Sequence, residues 1–133
     1  MTVFDFVIAR RPVSVQTENR VNYQAWKRFV RNEAGRGWGD RPSVETALRL
    51  TVVFLCDEAL TDTDNVIKPI QDALEGLVYA DDVVVADVDC HRRVFSDPVD
   101  LARVPAPLAE ALIEGKECVY VRVMPAQPLE EMV

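Results

Sequence analysis

Histidine occurs once in this sequence, at His91, and cysteine three times, at Cys56, Cys90 and Cys118. No two of the cysteines form a Cys-x-x-Cys pair and one is left over from any pairing. That excludes a disulfide framework and, with a lone histidine beside them, a zinc set of the usual spacing. Buried, reduced thiols are the expectation. Long apolar runs are also missing. The stretch from Met1 to Ala9 has no basic residues before it and is cut off by Arg10-Arg11, too early for a signal peptide or a membrane span. A cytoplasmic protein with no membrane partner is expected.

An overall positive charge is lacking too. The net charge is −7, which at first sight argues against a nucleic-acid partner, because phosphate binding calls for a basic surface. The distribution changes that reading. Up to Arg49 there are nine Lys/Arg against five Asp/Glu, and after it six against seventeen, so the two halves carry opposite signs. Between Asp57 and Asp89 ten acids face a single base, Lys68, a repulsion that bound cations would relieve.

At 133 residues, 49% of them hydrophobic, the chain fits one domain, 1–133, with a sizeable core. Val3 to Ala9 alternates around Phe4, Phe6 and Ile8 and predicts a first strand. From Asn22 to Ala34, Tyr23, Trp26, Phe29, Val30 and Ala34 recur at helical spacing. Lys27, Arg28 and Arg31 fall off that stripe, as a solvated basic face or a phosphate-contacting surface. Gly35 to Pro42 reads as a breaker-rich loop, in which Trp38 either stacks on an unpaired base or packs back on the core. Ala47 to Cys56 predicts a central buried strand. Asp82 is expected to open a further strand, Val83 to Val88, with Asp87 and Asp89 pointing together near the site. His91-Arg92-Arg93 follows as a basic step, a phosphate clamp or a solvent-facing strand end. A short helix over 105–114, a last strand from Cys118 to Met124 and a frayed tail complete the chain.

The chemistry concentrates between these elements. Asp62-Thr63-Asp64-Asn65-Val66-Ile67-Lys68-Pro69-Ile70-Gln71-Asp72-Ala73-Leu74-Glu75-Gly76, followed by Tyr79-Ala80-Asp81-Asp82, gathers five aspartates and a lysine. Carboxylates one residue apart at a helix start, joined by others from a following element, can converge on a hard divalent cation. Lys68 lies one turn after Asp64 and faces the same side, as does Asp72. Ile67, Ile70, Leu74 and Leu77 form the opposite, packing face. Asp64 is a plausible N-cap, Pro69 is expected to distort or restart the first turn, and Gly76 marks the helix end.

The segment resembles the RusA family of Holliday-junction resolvases, whose motif runs DxDNxxKxxxDAL and then, after a short turn, an aspartate pair. Asp62, Asp64, Asn65, Lys68, Asp72, Ala73, Leu74, Asp81 and Asp82 fall on it, and Arg11-Pro12-Val13-Ser14 looks like the family's Pro-rich turn after strand one. The resemblance implies an α+β, RusA-like fold, a mixed sheet of about four strands packed against two or three helices. It implies a Mg²⁺- or Mn²⁺-dependent endodeoxyribonuclease that works as a homodimer on branched, four-way junction DNA in recombination and repair. Asp62, Asp64 and Asp82 would be metal ligands and Lys68 a catalytic cation. Asp72 and Asp81 would support them from outside, orienting Lys68 or a water. Lys27, Arg28, Arg31, Arg92 and Arg93 would contact DNA. A metal nuclease with another DNA-structure preference, or a non-cleaving DNA- or protein-binding module on the same fold, are the alternatives.

Overall fold

The chain is described from a computed structural model over residues 2–12, 19–57 and 63–133, with 63–65 described in the backbone alone. Val13, Ser14 and Asp62, on which parts of the sequence reading rest, lie outside the described residues. Among those residues no helix is long and apolar enough to cross a membrane.

Four strands, β1 (Phe4–Ile8), β2 (Leu48–Cys56), β3 (Val85–Val94) and β4 (Cys118–Pro125), make one mixed sheet in the order β1-β4-β2-β3. β4 runs antiparallel to both neighbours, and β3 runs parallel to β2. A parallel pair needs a crossover, which α2 (Thr63–Leu74) occupies. With α1 (Arg20–Trp38), α3 (Ala106–Glu114) and the one-turn α4 (Leu129–Met132), the architecture is α+β, as expected. The expected frayed tail therefore holds one short, exposed helix.

Alternation decides the two faces of the sheet. Phe4, Phe6 and Ile8 of β1, Leu48, Leu50, Val52 and Phe54 of β2, and Val119, Val121 and Val123 of β4 face α1 and α2 and form the main core. On the other face Leu55, Cys118 and Tyr120 meet Leu108 and Ala111 of α3. Cys56 and Cys118 are buried free thiols and Cys90, on the edge strand, is half-buried. Burial raises the pKa of Cys56, and that of Cys118 to about 11, holding both as thiols.

Three elements differ from the sequence reading. The loop expected from Gly35 is helix as far as Trp38, because Trp38 extends the buried stripe of Tyr23, Trp26, Val30 and Ala34 by one more turn. Gly37 fits that packing, since a Cβ there would lie 2.8 Å from Phe4 Cε1. Trp38 takes the core alternative: its Nε1 donates to the Arg41 carbonyl at 3.0 Å and its ring meets Phe4 edge-on. Asp82 does not open a strand. Asp82–Val84 is a single 3-10 turn, pinned by the Asp81 carboxylate accepting from the Val83 N–H at 3.0 Å, and β3 starts only at Val85. β3 then pairs with β2 as far as Val94, so His91, Arg92 and Arg93 lie within the strand. Pro69 neither ends nor restarts α2, which is continuous across it; the ring removes one helical hydrogen bond just past the first turn. Asp64 stands inside that helix rather than capping it.

Asp87 and Asp89 do share a face, but they serve the sheet. Asp87 accepts from the Gln127 N–H at 2.9 Å, while Asp89 pairs with Arg49 at 2.7 Å and lies 3.1 Å from His91 Nε2. Burial pushes the Asp89 pKa up, yet the hydrogen bond and charge of Arg49, with His91 beside it, hold it below the usual carboxylate value. Its contribution to stability is therefore complete above about pH 4 and lost as pH falls through the depressed folded value. Asp89→Asn should lower the melting temperature at pH 7 and converge with wild type towards pH 2 to 3; a difference independent of pH would refute this account.

Candidate metal centre

α2 carries one apolar and one polar face. Val66, Ile70, Ala73 and Leu74 are buried in the core, with Ile67 and Leu77 partly buried at its rim. On the polar face, Lys68 Nζ lies 3.0 Å from Asp72 Oδ1, one turn on. That hydrogen bond, then the charge of Asp72 and, against some burial, the charge of Asp82 raise the Lys68 pKa. Lys68 is a firmly protonated ammonium, and Asp72 and Asp82 both lie within its field.

The end of α2 is built with unusual care. Gly76 has φ +86°, a conformation that suits glycine, and its N–H donates to the Tyr79 carbonyl at 2.7 Å. The Tyr79 hydroxyl donates back to the Gln71 carbonyl, and the Ser43 hydroxyl donates to that of Leu77 at 3.1 Å. Arg31 reaches over from α1: Nη1 donates to the Glu75 carbonyl at 2.7 Å and Nη2 to the Gly76 carbonyl at 3.2 Å. This turn folds back so that Glu75, Asp81 and Asp82 bring carboxylate oxygens within 4.8 Å of one another. Two oxygens that share an ion at roughly 2.1–2.4 Å are at most about 4.8 Å apart, so the spacing suits one divalent cation. An all-carboxylate donor set, without nitrogen or sulfur, fits a hard ion of the Mg²⁺ or Mn²⁺ kind.

The sequence named Asp82 and Asp81 but not Glu75. Asp62 lies outside the described residues, as does the Asp64 side chain, so the expected set of Asp62, Asp64 and Asp82 is represented by Asp82 alone. Asp64 and Glu75 are eleven positions apart along α2 and its C-terminal end, roughly 16 Å of helical rise, and cannot ligate the same ion. Asp82 is the carboxylate common to the family-type set and to the observed cluster.

The basic residues fall into two places. Lys27, Arg28 and Arg31 of α1, with Gln24, line a groove of about 260 Å³ whose other wall is Asp72 and Ala73 of α2. Lys27 also sits 5.4 Å over the Tyr23 ring. Arg92 and Arg93 stand near the far end of β3, roughly 20 Å or more of strand from the turn at Asp82. That is where β2 leads towards α2, and Arg93 donates to the Arg92 carbonyl. Glu75 was detectable in principle. An acid beside the C-terminus of a helix with no basic residue in its last turn opposes the helix dipole and asks for a compensating cation.

A family model described as Endodeoxyribonuclease RusA matches residues 8–100. The matched span runs from the last residue of β1 through α1, β2, α2, the Asp82 turn and β3. No curated protein matches the chain.

Proposed function

Because the chain belongs to the RusA family of endodeoxyribonucleases, we propose that it is a divalent-metal-dependent nuclease that resolves four-way DNA junctions by symmetric phosphodiester hydrolysis in recombination and repair. Residues 1–133 would form one RusA-like nuclease domain, acting in the cytoplasm as a homodimer whose two copies each make one cut. The observation that carries this reading is the placement of Asp82: it falls on the family motif, and from a separate element its charge acts on Lys68, the lysine of that same motif.

Mg²⁺ or Mn²⁺ bound by Asp82 with Asp62 and Asp64 would supply Lewis acidity towards the phosphate and neutralise charge that builds in the transition state. The protein does the rest. Lys68, held by Asp72 and protonated, stabilises negative charge on the reacting phosphate or the departing oxygen. Asp81 fixes the turn that presents Asp82. Lys27 and Arg28 bind the DNA backbone along the groove between α1 and α2, and Arg92 and Arg93 offer a second contact at the other end of the sheet. Lys68→Ala should lower single-turnover cleavage by about 10²- to 10³-fold, the usual cost of removing one such donor. Junction affinity in Ca²⁺ should change far less, and an equal loss in both would make Lys68 a docking residue.

A second reading is favoured by how the cations are used. Arg11 pairs with Glu117, Arg36 with Glu33 and Arg49 with Asp89. That reduces the positive surface left for a large junction and favours a nuclease with a narrower footprint. One assay separates the two readings: incubation with a synthetic four-way junction, a fork and a plain duplex, with and without Mg²⁺. Symmetric Mg²⁺-dependent nicks in the junction support resolution. Preferential cutting of the fork or duplex establishes the narrower nuclease, and binding without cleavage refutes both.

A further inference from the structure

We propose that Arg31 is a positioning residue of the metal centre, which holds the turn that presents Asp82 through two backbone carbonyls, and that phosphate binding is left to its neighbours on α1. The inference rests on the metal-centre reading above and adds what keeps that centre assembled. The reason is electrostatic. The C-terminal end of α2 carries the negative pole of the helix dipole, and α2 has no basic residue in its last turn. Glu75, Asp81 and Asp82 gather at that pole. Unopposed, they would push the turn open.

Arg31 answers this from a different element. Its fork spans the carbonyls of consecutive residues, Glu75 and Gly76, at 2.7 and 3.2 Å, which fixes the direction in which the chain leaves the helix. Gly76 leaves room for the contact: a Cβ at that position would stand 3.4 Å from both terminal guanidinium nitrogens, and its φ of +86° would strain any other residue. Six residues later the same turn delivers Asp82 to Glu75. A lysine keeps the charge but cannot span both carbonyls, so geometry and charge can be separated by substitution.

The test measures Mn²⁺ binding by electron paramagnetic resonance or calorimetry on the full chain, for wild type, Arg31→Lys and Arg31→Met. Loss of a group that orients metal ligands from outside costs about 10- to 100-fold in affinity, and Arg31→Lys is expected to fall in that range despite its retained charge. In parallel, the salt dependence of junction binding in Ca²⁺ is expected to be unchanged in Arg31→Met and shallower by about one in Lys27→Ala. Gly76→Ala, which disturbs the clamp from the other side, provides an independent variant should Arg31→Lys not fold, and is expected to show the same loss of Mn²⁺ affinity. Wild-type Mn²⁺ affinity in Arg31→Lys overturns the inference, as does a shallower salt slope in Arg31→Met with Mn²⁺ affinity intact. A wild-type protein that binds no Mn²⁺ overturns the metal-centre reading and the inference with it.

Discussion

Asp82→Asn is expected to reduce Mg²⁺-dependent cleavage of a four-way junction by about 10³-fold or more while leaving the protein folded. The amide is nearly isosteric with the carboxylate but a poor ligand for a hard cation, so what is lost is metal-centred stabilisation of the transition state. Several kcal/mol are at stake in such sites, and about 4 kcal/mol corresponds to a thousandfold in rate. Stability should hold or rise slightly, because Asp82 lies within 4.8 Å of two other acids and neutralising it removes repulsion. Single-turnover cleavage, junction binding in Ca²⁺ and thermal unfolding with and without Mg²⁺ check the three parts. Wild-type rates in this variant would exclude Asp82 from the chemistry. Persistence of the Mg²⁺-dependent shift in melting temperature would exclude it from metal binding.

The second large effect is on stability. Trp38→Ala should cost about 3–5 kcal/mol of unfolding free energy, the range for removing a buried aromatic side chain. Trp38 is 3% exposed, packs edge-on against Phe4 with ring centroids 5.3 Å apart, and carries Arg41 4.3 Å above its face. Its indole N–H is hydrogen-bonded to the Arg41 carbonyl, so the substitution also frees the chain just after the end of α1. Trp38→Phe should recover most of the loss. Urea unfolding of the three proteins gives the numbers, and DNA affinity per folded molecule should be the same in all. A fall in affinity without a fall in stability would restore the base-stacking role that the packing argues against.

These two residues show why some features were legible in the sequence and others were not. The four strands and three longer helices follow from local patterns: Phe4, Phe6 and Ile8 alternate, and Tyr23, Trp26, Val30 and Ala34 recur at helical spacing. Carboxylates at fixed spacing around Lys68, with the family resemblance, raised the expectation of a metal site, and of its three expected ligands only the Asp82 side chain lies among the described residues. Boundaries were harder where tertiary packing overrules local preference. Glycines at 35 and 37 look like breakers, but Trp38 gains enough from burial to carry the helix through them. Asp82 was expected in a strand because valines follow it, yet Asp81 caps a turn there first. Arg31 was the least legible of all. Its partners are main-chain carbonyls, which every residue possesses, so no residue pattern announces them. Nothing in its own neighbourhood distinguishes it from Lys27 and Arg28.

The position of β4 has a consequence for how the molecule is made. It is the last of the four strands in chain order, yet it lies between β1 and β2 and, among the described residues, is the only strand paired with β1. While the chain emerges from a ribosome, β2 can recruit α2 and β3, but β1 has no edge to join until residues past Pro125 have been released. Sheet closure must then bring Phe4 to Val123 across nearly the whole length of the chain, a non-local step of the kind that slows folding. Until it happens, the buried faces of β1 and α1 share an incomplete core. Nascent chains stalled before Cys118 should be sensitive to protease and bound by chaperones, and the native sheet should form only after the last strand is released.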